Sequence, residues 1–189
     1  MNPDYALLLA SKINKKFNPK IKESVNYKTW VSIEDERRCI VCENNHGKVF
    51  YIKEIPLIRP PVHFICRCRL ELLKAIIAGT ATVKGIDGAD WWLKFLNKLP
   101  ENYISRSDAR KNGWNPKKGN LNESCPEKLI FGGKYYNTNK HLPSAKGREW
   151  YEADINYDAG FRNTQRIVYS NDGLIFVTYD HYKTFYEII

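Results

Sequence analysis

The stretch from Glu149 to Tyr179 holds the runs Glu-Trp-Tyr-Glu-Ala-Asp-Ile-Asn (149–156), Gln-Arg-Ile-Val-Tyr-Ser (165–170) and Leu-Ile-Phe-Val-Thr-Tyr (174–179). Aromatic and β-branched residues recur in all three, and turn formers bound them, so each reads as a strand. Asn171-Asp172-Gly173 separates the last two, and Asp-Gly favours the hairpin turn that matches strand twist. Asp158-Ala159-Gly160 marks another tight turn. Leu129–Tyr136 and Thr184–Ile188 are two more strand candidates.

Upstream of the strands the signals are helical. Asp87–Leu99 places Trp91, Trp92, Phe95 and Leu96 on one stripe and stops at Leu99-Pro100. Ser105 can cap a second helix running to Asn112, with Asp108 in the capping-box position and Gly113 as its stop. Helices first and strands second predict an α+β domain on an antiparallel sheet.

Alternation along the strands sorts their side chains. Trp150, Glu152 and Asp154 share one face, while Tyr151, Ala153 and Ile155 share the other, which reads as the core side. Arg166 points opposite to Ile167 and Tyr169, so a carboxylate and an arginine project from one open face. Arg162 lies between these strands, and His181-Tyr182 follows the strand ending at Tyr179. A Glu, a His and two Arg are the parts that phosphodiester cleavage needs: a base, an acid and charge to offset the transition state. Taken alone, such residues on a sheet are more often ordinary surface.

The first eighty residues have a different chemistry. Asp4–Phe17 reads as a helix ended by Asn18-Pro19, and Leu70–Ala78 as an apolar helix. Between them stand Cys39-x-x-Cys42, His63 and Cys66-Arg67-Cys68. Zinc takes four thiolate or imidazole ligands in a tetrahedron, and Cys39, Cys42, Cys66 and Cys68, or His63 in place of one of the last two, supply them. The alternatives are two disulfides or four buried thiols in a small core. Gly79, Gly85 and Gly88 read as a junction, which divides the chain into a Cys/His-containing part at 1–79 and a second domain at 80–189.

The chain has 189 residues, 43% of them hydrophobic, so a packed core is expected. Its net charge of +9, of which +6 falls in residues 1–80, suits a polyanionic partner, with a merely solvated basic surface as the alternative. No apolar run approaches the ~20 residues of a membrane span. Ala6–Ala10 is too short for a secretory core, so a soluble protein without an ordinary signal peptide and without membrane contact is expected.

Two resemblances sharpen these readings. Trp30, Asp35, Arg37, the CxxC at 39–42, Gly47, Pro60-Pro61-x-His63 and Cys66-Arg67-Cys68 resemble the core of phage Mu F-like minor head proteins. That module belongs to head morphogenesis and also occurs upstream of toxin domains, which implies an assembly or delivery role. From Asp87 onward the chain resembles a microbial ribonuclease of the barnase type. The matching runs include Lys98-Leu-Pro-Glu-Asn-Tyr-Ile104, Lys118-Gly-Asn-Leu121, Gly132-Gly133, Trp150–Tyr157, Gly160-Phe-Arg-Asn163, Arg166-Ile167 and Asp180-His-Tyr182.

The second resemblance implies a metal-independent endoribonuclease acting on single-stranded RNA, by transesterification to a 2′,3′-cyclic phosphate and hydrolysis to a 3′-phosphate. Glu152 matches the general base, His181 the general acid, and Arg162 and Arg166 the phosphate-binding arginines. Arg106 stands where the family has a catalytic lysine. Tyr182 matches the tyrosine beside the acid, Asn137 the asparagine of the base-recognition loop, and Asp154 a buried acid that pairs with the arginines. Lys118 joins the substrate-binding candidates. The recognition loop, Tyr136–His141, lacks the family's arginine and guanine-reading glutamate, which puts guanine preference in doubt.

No cofactor is expected for catalysis, and a structural zinc is the one metal in question. A nuclease of this kind implies a toxin or effector with an acidic barstar-like inhibitor or immunity protein, and phage or secretion components as further partners. It would be secreted or delivered into target cells without an ordinary signal peptide, or else be cytoplasmic or prophage-associated. The competing class is a head-related structural protein whose C-terminal domain only binds RNA or a partner. A deoxyribonuclease is a third reading, against which stands the want of a carboxylate cluster for a metal in the C-terminal part.

Overall fold

The computed structural model describes residues 17–189. The helix expected over Asp4–Phe17 lies outside these residues apart from Phe17 itself. Among the described residues the elements are few short helices and nine strands of one sheet. They are β1 (Ile21–Val31), α1 (Ile40–Asn45), β2 (Val49–Tyr51), β3 (Arg69–Ile76), α2 (Ala89–Leu96), β4 (Tyr103–Ser105), α3 (Arg106–Lys111), α4 (Leu121–Ser124), β5 (Leu129–Tyr135), β6 (Trp150–Asp154), β7 (Arg166–Ser170), β8 (Ile175–Thr178) and β9 (Tyr186–Ile188). The class is α+β, with one short strand set between the helices.

The strand order is β2-β1-β3-β9-β8-β7-β6-β5-β4. Strands β5 to β9 pair antiparallel throughout. Parallel pairs flank this block, β4 on β5 and β3 on β9. The sheet therefore runs without a break from the cysteine-bearing part into the second half of the chain.

The expected helix over Leu70–Ala78 is instead the strand β3. It pairs antiparallel with β1, from Trp30 opposite Leu70 to Ile21 opposite Ile76, and parallel with β9 through Ala75 and Ile76. Its apolar run is a strand paired with β1 along its length and closed on the other edge by β9 at Ala75 and Ile76, and a short continuous apolar run has no period that separates this case from a buried helix. The glycine-rich segment after it is tied down. The buried Asp90 accepts hydrogen bonds from the Gly79 and Ala81 amides (2.7 and 2.9 Å) and the Thr82 hydroxyl (3.0 Å).

Local signals explain α2 and α3. Helix α2 ends at Asn97, which takes a left-handed φ of 52°, three residues before Pro100. Ser105 caps α3 by accepting from the Asp108 amide at 3.1 Å, and Gly113 follows at φ 98°.

Both faces of the sheet are covered over part of their area. On one, Ala153, Ile155, Ile167 and Val177 pack under Ala89 and Leu93 of α2. The other face was expected to be open, but Trp150 is buried there with Val168, Phe176 and Phe185, beneath Tyr27, Val49 and Leu73. The N-terminal strands cover the far end of the face that carries Glu152. A strand's own alternation cannot reveal that a distant segment lies on its second side. Each fully buried side chain of this kind is worth about 1.5–3 kcal/mol.

Candidate active site

Strand β6 presents Glu152 and Asp154 two residues apart on one face, and each carboxylate has different partners. Glu152 Oε2 accepts from the Tyr182 hydroxyl at 2.5 Å, and Oε1 accepts from Arg106 Nη2 at 2.8 Å. Only 13% of the Glu152 side chain is exposed. Burial, and then the bond to Glu152, push the Tyr182 phenol well above its usual pKa, so it remains a proton donor to the carboxylate. Tyr135 stacks on Tyr182 with ring centroids 5.2 Å apart. Burial and then the Glu152 charge push its phenol up to about 12.

Backbone shape allows Glu152 to lie this close to β5. A Cβ on Gly133 would come within 2.7 Å of Glu152 Oε1 and 3.0 Å of Arg106 Nη2. The absent side chain is what gives the carboxylate and the guanidinium room to meet.

Asp154 is fully buried and gathers both arginines. Arg162 donates to it twice, Nε to Oδ2 at 2.6 Å and Nη2 to Oδ1 at 2.5 Å. Arg166 Nε lies 3.0 Å from Oδ1, out of line for a hydrogen bond, while its Nη1 donates to the Asn163 and Gln165 carbonyls. Burial works against the Arg162 charge, yet the bonds to Asp154 outweigh it and hold its pKa above the usual value. The charge of Glu152 also acts on Arg162, which places the two carboxylates and the arginines in one electrostatic unit.

His181 and Tyr182 both adopt left-handed backbone angles, φ 58° and 67°. Such angles cost of order 1–3 kcal/mol each in a non-glycine residue and persist only where neighbours impose them. Asp180 is one such neighbour, accepting from the Lys183 and Thr184 amides (3.1 and 2.9 Å) and from the Thr184 hydroxyl (2.7 Å). Thr178 is another, its hydroxyl accepting from the Tyr182 amide at 3.0 Å. The result aims the His181 ring outward, 4.8 Å from the Tyr182 ring. A cleft of about 920 Å³ opens in front, lined by His181, Arg162 and Arg166 with Trp114 and Phe161.

The fold thus brings together Glu152, Arg106, Tyr182, His181, Arg162 and Arg166. Lys118 stands apart, exposed beside Gly119, which does line the cleft. Asn137 is buried, and its side chain is spent on the loop. Its Nδ2 donates to the Leu142 carbonyl (2.7 Å), and its Oδ1 accepts from the Leu142 amide (3.0 Å). Three contributors escaped sequence reasoning: Gly133, the Asp180–Thr184 clamp, and His141, whose Nδ1 donates to the Tyr182 carbonyl at 3.2 Å. Asp-x-x-x-Thr is a local turn signal. Nothing local predicts the His141 contact, which spans forty-one residues.

The second cluster sits in the N-terminal part. Cys39 Sγ lies 3.4 Å from Cys42 Sγ, and Cys42 Sγ lies 3.8 Å from both His63 Nε2 and Cys66 Sγ. Cys68 falls within 4.8 Å of Cys42 and Cys66. Among the described residues the ligand atoms form two triples that share Cys42, namely Cys39–Cys42–His63 and Cys42–Cys66–Cys68, each mutually within 4.8 Å, whereas thiolates on one tetrahedral zinc with 2.3 Å bonds stand about 3.8 Å apart. All five cysteines are free thiols in this structure. Cys66 is brought down to about 7, since backbone and thiol hydrogen bonds outweigh the burial that pushes it up. Arg67 braces the Cys-Arg-Cys turn with two bonds to Asp35, at 2.7 and 2.6 Å, and these bonds hold Asp35 down to about 2.

A carboxylate fixed by a phenol and a guanidinium, with an imidazole and two more arginines beside a cleft, supplies groups able to do acid–base chemistry on an anionic substrate. The profile of the family described as ribonuclease matches residues 94–189, and this chain belongs to that family. A ribonuclease of Heyndrickxia coagulans is 50% identical over 108 residues, covering 57% of this chain and 99% of the relative. Ribonucleases of Bacillus intermedius and Bacillus pumilus are each 50% identical over 108 residues, covering 57% of this chain and 67% of theirs. The profile described as phage Mu protein F like protein matches residues 7–71. No described helix is long and apolar enough to cross a membrane.

Proposed function

We propose that the chain is an endoribonuclease that cleaves single-stranded RNA by transesterification. Glu152 takes the proton from a ribose 2′-hydroxyl, whose oxygen attacks the adjacent phosphorus. His181 gives a proton to the departing 5′-oxygen, leaving a 2′,3′-cyclic phosphate. In the second step the roles reverse: water adds to phosphorus and the 2′-oxygen leaves, giving a 3′-phosphate. Arg162, Arg166 and Arg106 offset the charge on the phosphorane-like transition state. These side chains fill every role, so the chemistry is written without a metal ion. The observation that carries the reading is Glu152 held between Arg106 and Tyr182, the residue that directly follows the outward-facing His181.

Arg106 is a larger, planar fork where relatives of the barnase type carry a lysine, and it already binds the base carboxylate. The recognition loop contains no carboxylate between Tyr136 and His141, so weaker guanine selectivity belongs to the same proposal. The N-terminal cluster of Cys39, Cys42, Cys66 and Cys68, or His63 in place of one of the last two, is proposed to hold one structural zinc. A toxin or effector role is proposed for the whole chain, with delivery through the phage-like part (1–79) and the nuclease in 80–189. An acidic inhibitor, by analogy with barstar on barnase, would cover the cleft and protect the producing cell.

The test is incubation of the full chain with RNA, with and without EDTA, followed by end-group analysis. Cyclic and 3′-phosphates are expected in both conditions. Glu152→Ala and His181→Ala should each lower the rate by about 10²–10⁴-fold with the fold retained. Near-normal turnover in either folded variant removes the assignment. RNA binding without any cleavage by the unaltered protein favours the binding-module reading.

A further inference from the structure

A second cleft, of about 430 Å³, lies where the N-terminal strands meet the loop after β5. Lys48 and Phe50 contribute from the β2 side, Leu57 from the segment after it, and Lys140 and Leu142 from the loop. Backbone contacts tie this cleft to the catalytic loop. The His141 carbonyl accepts from the Val49 amide at 2.8 Å, while the His141 ring donates to the Tyr182 carbonyl.

Charge in the cleft favours a polyanion. Neither Lys48 nor Lys140 forms an ion pair among the described residues. Lys48 Nζ donates to the neutral Asn45 Oδ1 at 2.9 Å, which positions the ammonium without cancelling its charge. Burial, and then the Lys140 charge, lower the Lys48 pKa, so the two cations act on one another. Glu54 is the acid in this cleft, and its Oε2 is taken up by the Tyr51 amide at 3.2 Å. Lys140 holds a left-handed φ of 51°, a conformation that glycine would adopt with less strain. Beside the cations, Leu57 is fully exposed and Phe50 half-buried, which offers apolar surface to a base. Alternating cations and apolar surface is the pattern that follows a single strand.

We infer that this cleft is an accessory RNA subsite, in which Lys48 of the phage-like part and Lys140 of the ribonuclease part bind a substrate phosphate beyond the scissile one. The adjacent base lies against Phe50 and Leu57. The inference rests on the ribonuclease reading above and extends it, because it makes the N-terminal part a contributor to substrate binding. A dinucleotide has only the phosphate that is cut, so only longer strands reach the subsite.

The test compares kcat/KM on the best-cleaved of GpA, ApA, UpA and CpA with that on an octanucleotide containing the same step, using the full chain. The octanucleotide is expected to be preferred. Lys48→Ala and Lys140→Ala should each shrink that preference by about three- to tenfold at low salt. Each should also reduce the slope of log(kcat/KM) against log[salt] by about 0.7, and Lys48→Arg should preserve both. An unchanged preference and slope in both alanine variants, with the dinucleotide still cleaved, overturns the subsite. If the unaltered protein cleaves neither substrate, the ribonuclease reading falls and the subsite falls with it.

Discussion

Replacing Asp154 with asparagine keeps the shape of the side chain and removes the charge that holds two arginines. Asp154 is fully buried, and the Arg162 and Arg166 side chains are 22% and 6% exposed. Breaking a buried ion pair by removing one partner costs about 3–5 kcal/mol, because the remaining charge has lost its solvent and its counter-ion. Here two cations are orphaned, but Arg162 reaches water at its edge and Arg166 keeps two carbonyl acceptors. The lower part of that range, about 3–4 kcal/mol, is therefore expected. In a chain of this size it corresponds to a fall in Tm of roughly 6–16 °C. Thermal and urea denaturation followed by tryptophan fluorescence read it directly. Adding Arg166→Met to Asp154→Asn removes one of the orphaned charges, so the double variant should be less destabilised than the sum of the two single changes by at least about 1 kcal/mol. A loss below about 1 kcal/mol in Asp154→Asn, or strict additivity in the double variant, would refute the view that this ion cluster organises the site.

Gly133→Ala places a methyl group 2.7 Å from Glu152 Oε1 and should displace the carboxylate rather than the backbone. RNA cleavage falls by about 10²-fold while Tm changes little, and wild-type turnover would contradict the close approach. His141 and His46 are both held below their usual pKa by burial. The unfolded chain therefore takes up more protons than the folded one as pH drops below about 6.5. Their contribution to stability is complete above that unfolded value and is lost as pH falls toward the folded pKa; His141→Gln should flatten this acid slope in urea titrations, and an unaltered slope would count against it. Elemental analysis of protein purified without chelator should find about one zinc per chain, and a strong chelator or Cys42→Ser should lower Tm. Less than about 0.2 zinc per chain with no response to chelation removes the metal from the account.

Much of the catalytic half was legible because its signals are local. Ser105, Asp108 and Gly113 mark a capped helix in adjacent residues, and the runs around Trp150, Ile167 and Phe176 carry strand composition between turn formers. Observed strand ends differ from the expected ones by one or two residues, since pairing partners rather than propensity decide where a strand stops. The reading failed where the outcome depended on distant partners. Leu70–Ile76 is a strand because β1 pairs along it and β9 joins its end at Ala75 and Ile76, and Trp150 is buried because Tyr27, Val49 and Leu73 arrive from the other end of the chain.

The sequence by itself determined the residue types of the site, the α+β class, and the presence of a thiol cluster at metal-ligand spacing. Those properties follow from side-chain chemistry and from periods of two to four residues. Only the tertiary structure decided that both halves share one sheet, that Asp154 binds the two arginines while Glu152 is held by Tyr182 and Arg106, and that Asn137 serves its own loop. It also decided that Lys48 and Lys140, ninety-two positions apart, line one cleft. Such pairings are set by which surfaces meet when the chain excludes water, and that choice is made by the whole molecule rather than by any single segment of it.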